Sequence, residues 1–107
     1  MNMEDRRRIA AEASETLKIL ANPNRLIALY ELLDKELSVG ELAKILGLRD
    51  QAMSQQLAIL RAKGFVATRR SGQTIYYYIA RDDIKTILKS LYTDLISKIS
   101  DTTHSAG

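Results

Sequence analysis

A helix-start signature and two glycine stops, set within the 27 residues from Ser38 to Gly64, leave the middle of this chain little choice of structure. Ser38-Val39-Gly40-Glu41 matches the S-x-x-E pattern, in which the serine hydroxyl and the glutamate carboxylate satisfy backbone N–H groups reciprocally at the start of a helix. Val39, Leu42, Ala43 and Leu46 then recur at helical spacing until Gly47, a residue type that readily takes the left-handed conformation ending a helix. Leu48 and Arg49 lead to Asp50, expected to be the N-cap of a helix that runs to Lys63 and stops at Gly64. Two short helices joined by a glycine turn predict a helix-turn-helix.

The second of these helices has two unlike faces. Met53, Leu57 and Leu60 fall on one side, Gln51, Ser54 and Gln55 on the other, with Gln56 beside them. Amide side chains can hydrogen-bond in pairs to adenine edges, and a hydroxyl can bond to base or phosphate, so the polar side has the chemistry of a major-groove reader. An ordinary solvated helix face has the same chemistry. Its neighbours must decide.

Charge is the first of those neighbours. The chain has 107 residues and a net charge of +3, but the excess is not spread evenly. Residues 1–48 and 82–107 each come to −1, whereas residues 49–81 carry Arg49, Arg61, Lys63, Arg69, Arg70 and Arg81 against Asp50 alone, giving +5. The positive charge therefore collects in the segment that begins with the candidate reading helix. After Gly64 the period changes from helical to alternating: Phe65 to Arg70, a turn at Ser71-Gly72-Gln73, then Thr74 to Ile79, which reads as a β-hairpin. Arg69 and Arg70 sit just before its tip and Gln73 on it, placed to meet phosphates or a minor groove. Exposed arginines also keep a hairpin edge from pairing, which is the competing role.

The flanks read as dimer helices and core. An amphipathic helix is expected over Met3 to Leu20, with Ile9, Ala13, Leu17 and Leu20 on one face. Asn22-Pro23 then caps a second helix, expected to reach Asp34 and, being apolar nearly throughout, to be the most buried element. Asp82 and Asp83 are expected as caps of a last helix rather than as an acid–base pair, because no partner group lies nearby in sequence. That helix carries the stripe Ile84, Ile87, Leu88, Leu91, Tyr92, Leu95, Ile96 and Ile99. The stripe is longer than one small domain needs, so a second copy of the chain is the expected cover.

Composition narrows the chemistry. There is no cysteine, which removes disulfides, thiolate metal sites and thiol catalysis, and the single histidine, His104, lies in the last few residues. No metal, no cofactor and no enzymatic activity is expected, since neither a paired acid and base, a nucleophile with its base, nor a metal cluster can be assembled. No apolar run approaches the roughly 20 residues of a membrane span and no secretory signal precedes the first helix, so a cytoplasmic protein is expected. One domain over 1–99 and a flexible tail over 100–107 complete the expected organisation.

With the order helix, helix, helix-turn-helix, hairpin, helix, the chain resembles the ArsR/SmtB family of bacterial winged-helix repressors from about Leu17 to Tyr92. The resemblance is carried by A-N-P-N-R-L ahead of the second helix, E-L-A-K-I-L-G-L in the first half of the motif, S-Q-Q-L-A-I-L-R in the reading helix and Q-T-I-Y-Y in the hairpin. It implies a mainly α fold with a β-hairpin, dimerising through its first and last helices, and a repressor that occludes a promoter until an inducer weakens DNA binding. Metal-sensing members carry C-V-C where this chain has Ser38-Val39-Gly40, and others place histidines along the last helix, where none is expected here. A branch similar in the A-N-P-x-R-L and Q-T-I-Y-Y strings senses sulfur species with a cysteine pair; the corresponding positions here are Tyr30 and Thr93. The dithiol switch is absent.

These readings give a homodimeric, sequence-specific regulator of double-stranded DNA, bound at an imperfect inverted repeat. Gln51, Ser54, Gln55 and Gln56 are the expected base readers. Arg49, Arg61, Lys63, Arg69, Arg70 and Gln73 are the expected phosphate and wing contacts, and Ile9, Ala13, Leu17, Ile84, Ile87, Leu88, Leu91, Tyr92 and Leu95 the expected dimer surface. A winged helix used only as a protein-interaction scaffold is the competing class, and the +5 segment counts against it. For release, two readings stand: control by abundance alone, or a small apolar or aromatic inducer near Tyr30 and Tyr92.

Overall fold

Local signals along the chain account for most of the element boundaries in the computed structural model, which describes residues 1–106, with side chains described through residue 99. The order is α1 (Met3–Leu20), α2 (Pro23–Glu31), β1 (Leu37–Ser38), α3 (Val39–Leu46), α4 (Asp50–Ala62), β2 (Val66–Ser71), β3 (Thr74–Ile79) and α5 (Asp82–Ala106). Asn2 caps α1 by accepting the Asp5 N–H, and Asn22 caps α2 by accepting that of Arg25, with Pro23 at the first helical position. Ser38 and Glu41 form both halves of the capping box on α3.

The two glycine stops are built alike. Gly47 has φ +68°, and the Leu48 N–H reaches back to the Ala43 carbonyl at 2.8 Å; Gly64 has φ +76°, and the Phe65 N–H reaches back to Leu60 at 2.9 Å. Both are six-to-one closures that satisfy helix-end carbonyls and drop the following apolar residue onto the helix just ended. Phe65 is thereby fully buried at the root of the hairpin. At its tip Ser71 pairs with Thr74 across Gly72-Gln73; positive φ at Gly72 and not at Gln73 makes the turn type II′, whose twist suits adjoining antiparallel strands.

Four expectations are corrected. Asp50 is the first residue of α4 rather than its cap; Arg49 occupies the cap position with no side-chain bond, and Asp50 adds a negative charge to the first turn, where the helix dipole favours it. The second helix ends at Glu31, three residues short of Asp34, because the Leu32 and Leu33 N–H groups tighten onto Leu29 and Tyr30 and turn the chain toward the sheet. Nor is α2 the most buried element: only Ala28 and Leu29 are wholly inside, while Ile27 and Tyr30 are exposed. The hairpin is not alone either, since β1 pairs with β3 through Leu37↔Tyr77 and Ser38↔Tyr76, giving a three-stranded antiparallel sheet in the order β1-β3-β2.

The last helix begins at Asp82, so Asp82 and Asp83 are residues of its first turn rather than the caps expected. Asp83 accepts the Ile84 N–H and takes the Arg81 guanidinium through two bonds of 3.0 and 2.5 Å. That hydrogen-bonded contact holds the Asp83 carboxyl below the usual carboxylate range and raises Arg81, which also lies over the Phe65 ring. The helical backbone continues to Ala106, so His104 falls within it; the side chains of the expected tail, 100–107, lie outside the described residues.

The core is one cluster drawn from every helix and strand: Leu20, Leu29, Leu32, Leu42, Met53, Leu57, Leu60, Phe65, Val66, Ile79, Ile84 and Leu88 among them. Ile84 and Leu88 are 0% exposed and belong to this core, not to the dimer surface expected of them. The stripe on α5 is covered by the chain itself at its start and bare further along, where Leu91 and Leu95 are 38% and 43% exposed. Among the described residues no helix is long and apolar enough to cross a membrane.

Candidate nucleic-acid interface

Burial orients α4. Met53, Leu57 and Leu60 are 0% exposed, which locks the helix about its own axis and leaves Gln51, Ser54 and Gln55 outward in its first two turns. Among the described residues none of those three has a side-chain hydrogen bond that would withdraw it from a ligand. Arg49 stands immediately before them, exposed at the helix start. Arg49 therefore brings a positive charge to the entrance of the amide-rich face, next to the Asp50 carboxylate in the first turn of the helix.

Gln56 is not part of that face. It is half-buried, and its side-chain oxygen accepts a hydrogen bond from Arg25 Nη1 at 2.9 Å. Lys63 also departs from the expected set. It lies twelve residues after Gln51, about 18 Å along the helix direction, and lines a surface concavity with Glu12, Glu15 and Arg81, against α1. Arg61 remains exposed in the last turn of α4.

On the wing the two arginines are held differently. Arg69 and Tyr76 face each other across β2 and β3, and the guanidinium lies 5.3 Å from the ring centre. Its Nε donates to Glu36 Oε1 at 2.7 Å, so a carboxylate already occupies the charge expected for phosphate. Arg70 Nε donates to the Gly72 carbonyl at 3.0 Å, which leaves the rest of its fork at the exposed tip beside Gln73. The strongest wing candidate is thus Arg70, a ranking that depends on the three-dimensional position of Glu36.

The expected dimer surface is exposed where the chain leaves it uncovered. Ile9, Ala13, Leu17 and Ile87 line one concavity between α1 and the start of α5, and Ile9, Leu17 and Ile87 are 51%, 59% and 38% exposed. Tyr92 is half-buried instead, stacked on Tyr30 with ring centres 4.2 Å apart and planes tilted by 31°. Burial, then the nearby Tyr30 and Glu31, push the Tyr92 hydroxyl upward from its ordinary pKa, so it stays neutral. Beside this pair Leu33, Lys89, Thr93 and Ile96 complete a mainly apolar concavity, which brings Tyr30 and Thr93 to one place. No three His, Cys, Asp or Glu side chains among the described residues come together as metal ligands would.

Comparison with known proteins agrees with this geometry. Residues 22–68, from the α2 cap to the first wing strand, match the family described as "Bacterial regulatory protein, arsR family". The transcriptional activator HlyU of Vibrio cholerae is 42% identical over 92 residues, which span 86% of this chain and 85% of HlyU. Reduced HlyU superposes with a TM-score of 0.82 at 41% identity, over 85% of this chain and 96% of that one. The transcriptional repressor BigR from Xylella fastidiosa gives 0.81 at 35% identity, over 91% and 96%. A homodimeric winged helix-turn-helix DNA-binding domain from Mycobacterium bovis, Mb0332, gives 0.70 at 27% identity, over 94% and 89%. On fold, motif and likeness together, the chain belongs to the arsR family of bacterial regulatory proteins.

Proposed function

We propose that the protein is a homodimeric transcription regulator, acting in the cytoplasm as a repressor, that places α4 of each subunit in the major groove of an imperfect inverted repeat. The observation that carries the reading is the division of α4: an apolar side wholly buried and an exposed Gln51, Ser54, Gln55 side headed by Arg49. Gln51, Ser54 and Gln55 read bases, Arg49, Arg61 and Arg70 hold phosphates, and Gln73 supports the wing tip. Twofold symmetry places the half-sites about one helical turn, roughly 34–36 Å, apart. The direct test is fluorescence anisotropy on a promoter fragment recovered by genome-wide mapping of bound DNA; affinity indifferent to sequence sinks the reading.

Two substitutions separate reading from holding. Gln55→Ala is expected to cost about 1–3 kcal/mol of discrimination between the cognate fragment and a single-base variant, with thermal stability unchanged because the side chain is exposed. Arg70→Ala is expected to weaken binding to all duplexes alike and to reduce the slope of log affinity against log salt by about 1. A change confined to one sequence would show instead that Arg70 reads a base.

Release is assigned to a small apolar or aromatic molecule at the Tyr30–Tyr92 concavity, in preference to control by abundance alone. The support is the mainly apolar lining at the junction of α2 and α5 and the stacked Tyr30–Tyr92 pair within it. Tyr30→Ala is expected to raise the concentration of a releasing compound needed for half-release by about three- to tenfold, measured by anisotropy with a panel of small phenols and aryl acids. If no compound releases DNA, or Tyr30→Ala leaves every response unmoved, the site is not the sensor.

A further inference from the structure

The half-buried arginine of α2 has partners that the DNA-reading set does not use. Arg25 Nε donates to the Ile19 carbonyl at 2.6 Å, and its Nη1 donates to Gln56 Oε1 at 2.9 Å. Ile19 lies in the last turn of α1, where carbonyls have no intrahelical partner. The residue four positions on is Pro23, which has no N–H to offer. Arg25, two residues later, satisfies this carbonyl with its side chain. Because guanidinium has donors and no acceptor, the Gln56 amide must turn its oxygen to Arg25. The side chain is then tied from the α1–α2 corner to the middle of α4.

We propose that Arg25 is a positioning residue for base reading: it fixes α4 against the end of α1 through Ile19 and Gln56, so that the helix carrying the exposed Ile9 and Leu17 sets where Gln51, Ser54 and Gln55 lie. The inference rests on the DNA-reading function proposed above. Its physical basis is a short polar chain joining the end of α1 to the middle of α4, with the arginine fork directed both ways. Reading by paired hydrogen bonds tolerates displacements of only about 0.5 Å, so a modest loosening of α4 is felt first in discrimination. Gln56 acts here as the receiving end of the tie, in place of the base contact expected from its position beside Gln55.

The test uses the full-length protein, a duplex obtained by in vitro selection with it, and a scrambled duplex of the same composition. Arg25→Met and Gln56→Ala are each expected to weaken binding to the selected duplex by about tenfold, to leave the scrambled duplex and the salt slope unchanged, and to combine without further loss in the double variant. In DNA-free protein, amide hydrogen exchange of α4 is expected to quicken in both variants while that of β2 and β3 holds. Equal weakening on both duplexes with a flatter salt slope overturns the proposal, since Arg25 would then be touching phosphate. So do additive losses in the double variant or unaltered exchange in α4. Should Arg25→Met fail to fold, Gln56→Ala reads the same tie from its other end. A wild-type protein that does not distinguish the two duplexes defeats the DNA-reading function itself, and the exchange measurement still reports whether the tie orders α4.

Discussion

Leu91→Glu is expected to convert the proposed dimer to a monomer and to lower its affinity for a two-half-site operator by about a thousandfold or more, the usual gap between specific and non-specific binding. The reasoning begins with α5. Ile84 and Leu88 begin its apolar stripe and are wholly buried by the chain's own core, whereas Leu91 and Leu95, continuing the same stripe, are 38% and 43% exposed. A helix that keeps its apolar face beyond the body covering it has that face for another surface. With Ile9, Leu17 and Ile87 exposed as well, the bare area is contiguous enough for a second copy. A glutamate at Leu91 would enter that contact from both subunits, and burying two uncompensated carboxylates outweighs the gain from the surrounding apolar area. Since Leu91 is not part of the core cluster, the subunit is expected to keep its helical content. Sedimentation analysis and anisotropy check both halves of the expectation. A variant that stays dimeric and binds as tightly as wild type removes α5 from the interface.

What could be seen in the sequence was whatever is encoded within a few residues. The Ser38–Glu41 box, the stops at Gly47 and Gly64 and the Gly72 turn each act over one turn of chain, and the structure has each at its place. Pairings decided at a distance were not visible. Strand β1 is two residues long and exists only because β3 presents an edge to Leu37 and Ser38, so no alternation could announce it. Glu36 and Arg69 are 33 positions apart, and Arg25 and Gln56 are 31; nothing local marks either pair. Periodicity also could not divide the α5 stripe. Ile84 and Leu91 share it, and only the place where the other helices stop covering it separates core from surface. The inward and outward sides of α4, by contrast, were legible, because a single amphipathic helix carries both within its own period.

That division of α4 yields the last expectation. Leu57→Ala is expected to destabilise the folded chain by about 2–5 kcal/mol, a large part of the roughly 5–15 kcal/mol that a domain usually has. Leu57 is 0% exposed and packs in one cluster with Met53, Leu60 and the residues of α3 and the wing. Removing its branched end forfeits the transfer energy of the lost methyls and leaves a cavity whose walls, being drawn from several elements, collapse only in part. At about 4–8 °C per kcal/mol for a chain this short, the melting temperature should fall by roughly 10 °C or more, at a fixed protein concentration because the proposed dimer would contribute to it. Well below that melting point the variant should still distinguish cognate from altered duplex, since Gln51, Ser54 and Gln55 are untouched. Gln55→Ala should show the converse: unchanged melting and lost discrimination. If Leu57→Ala instead melts with wild type, the buried side of α4 is not what anchors it, and the orientation of the reading face loses its physical support.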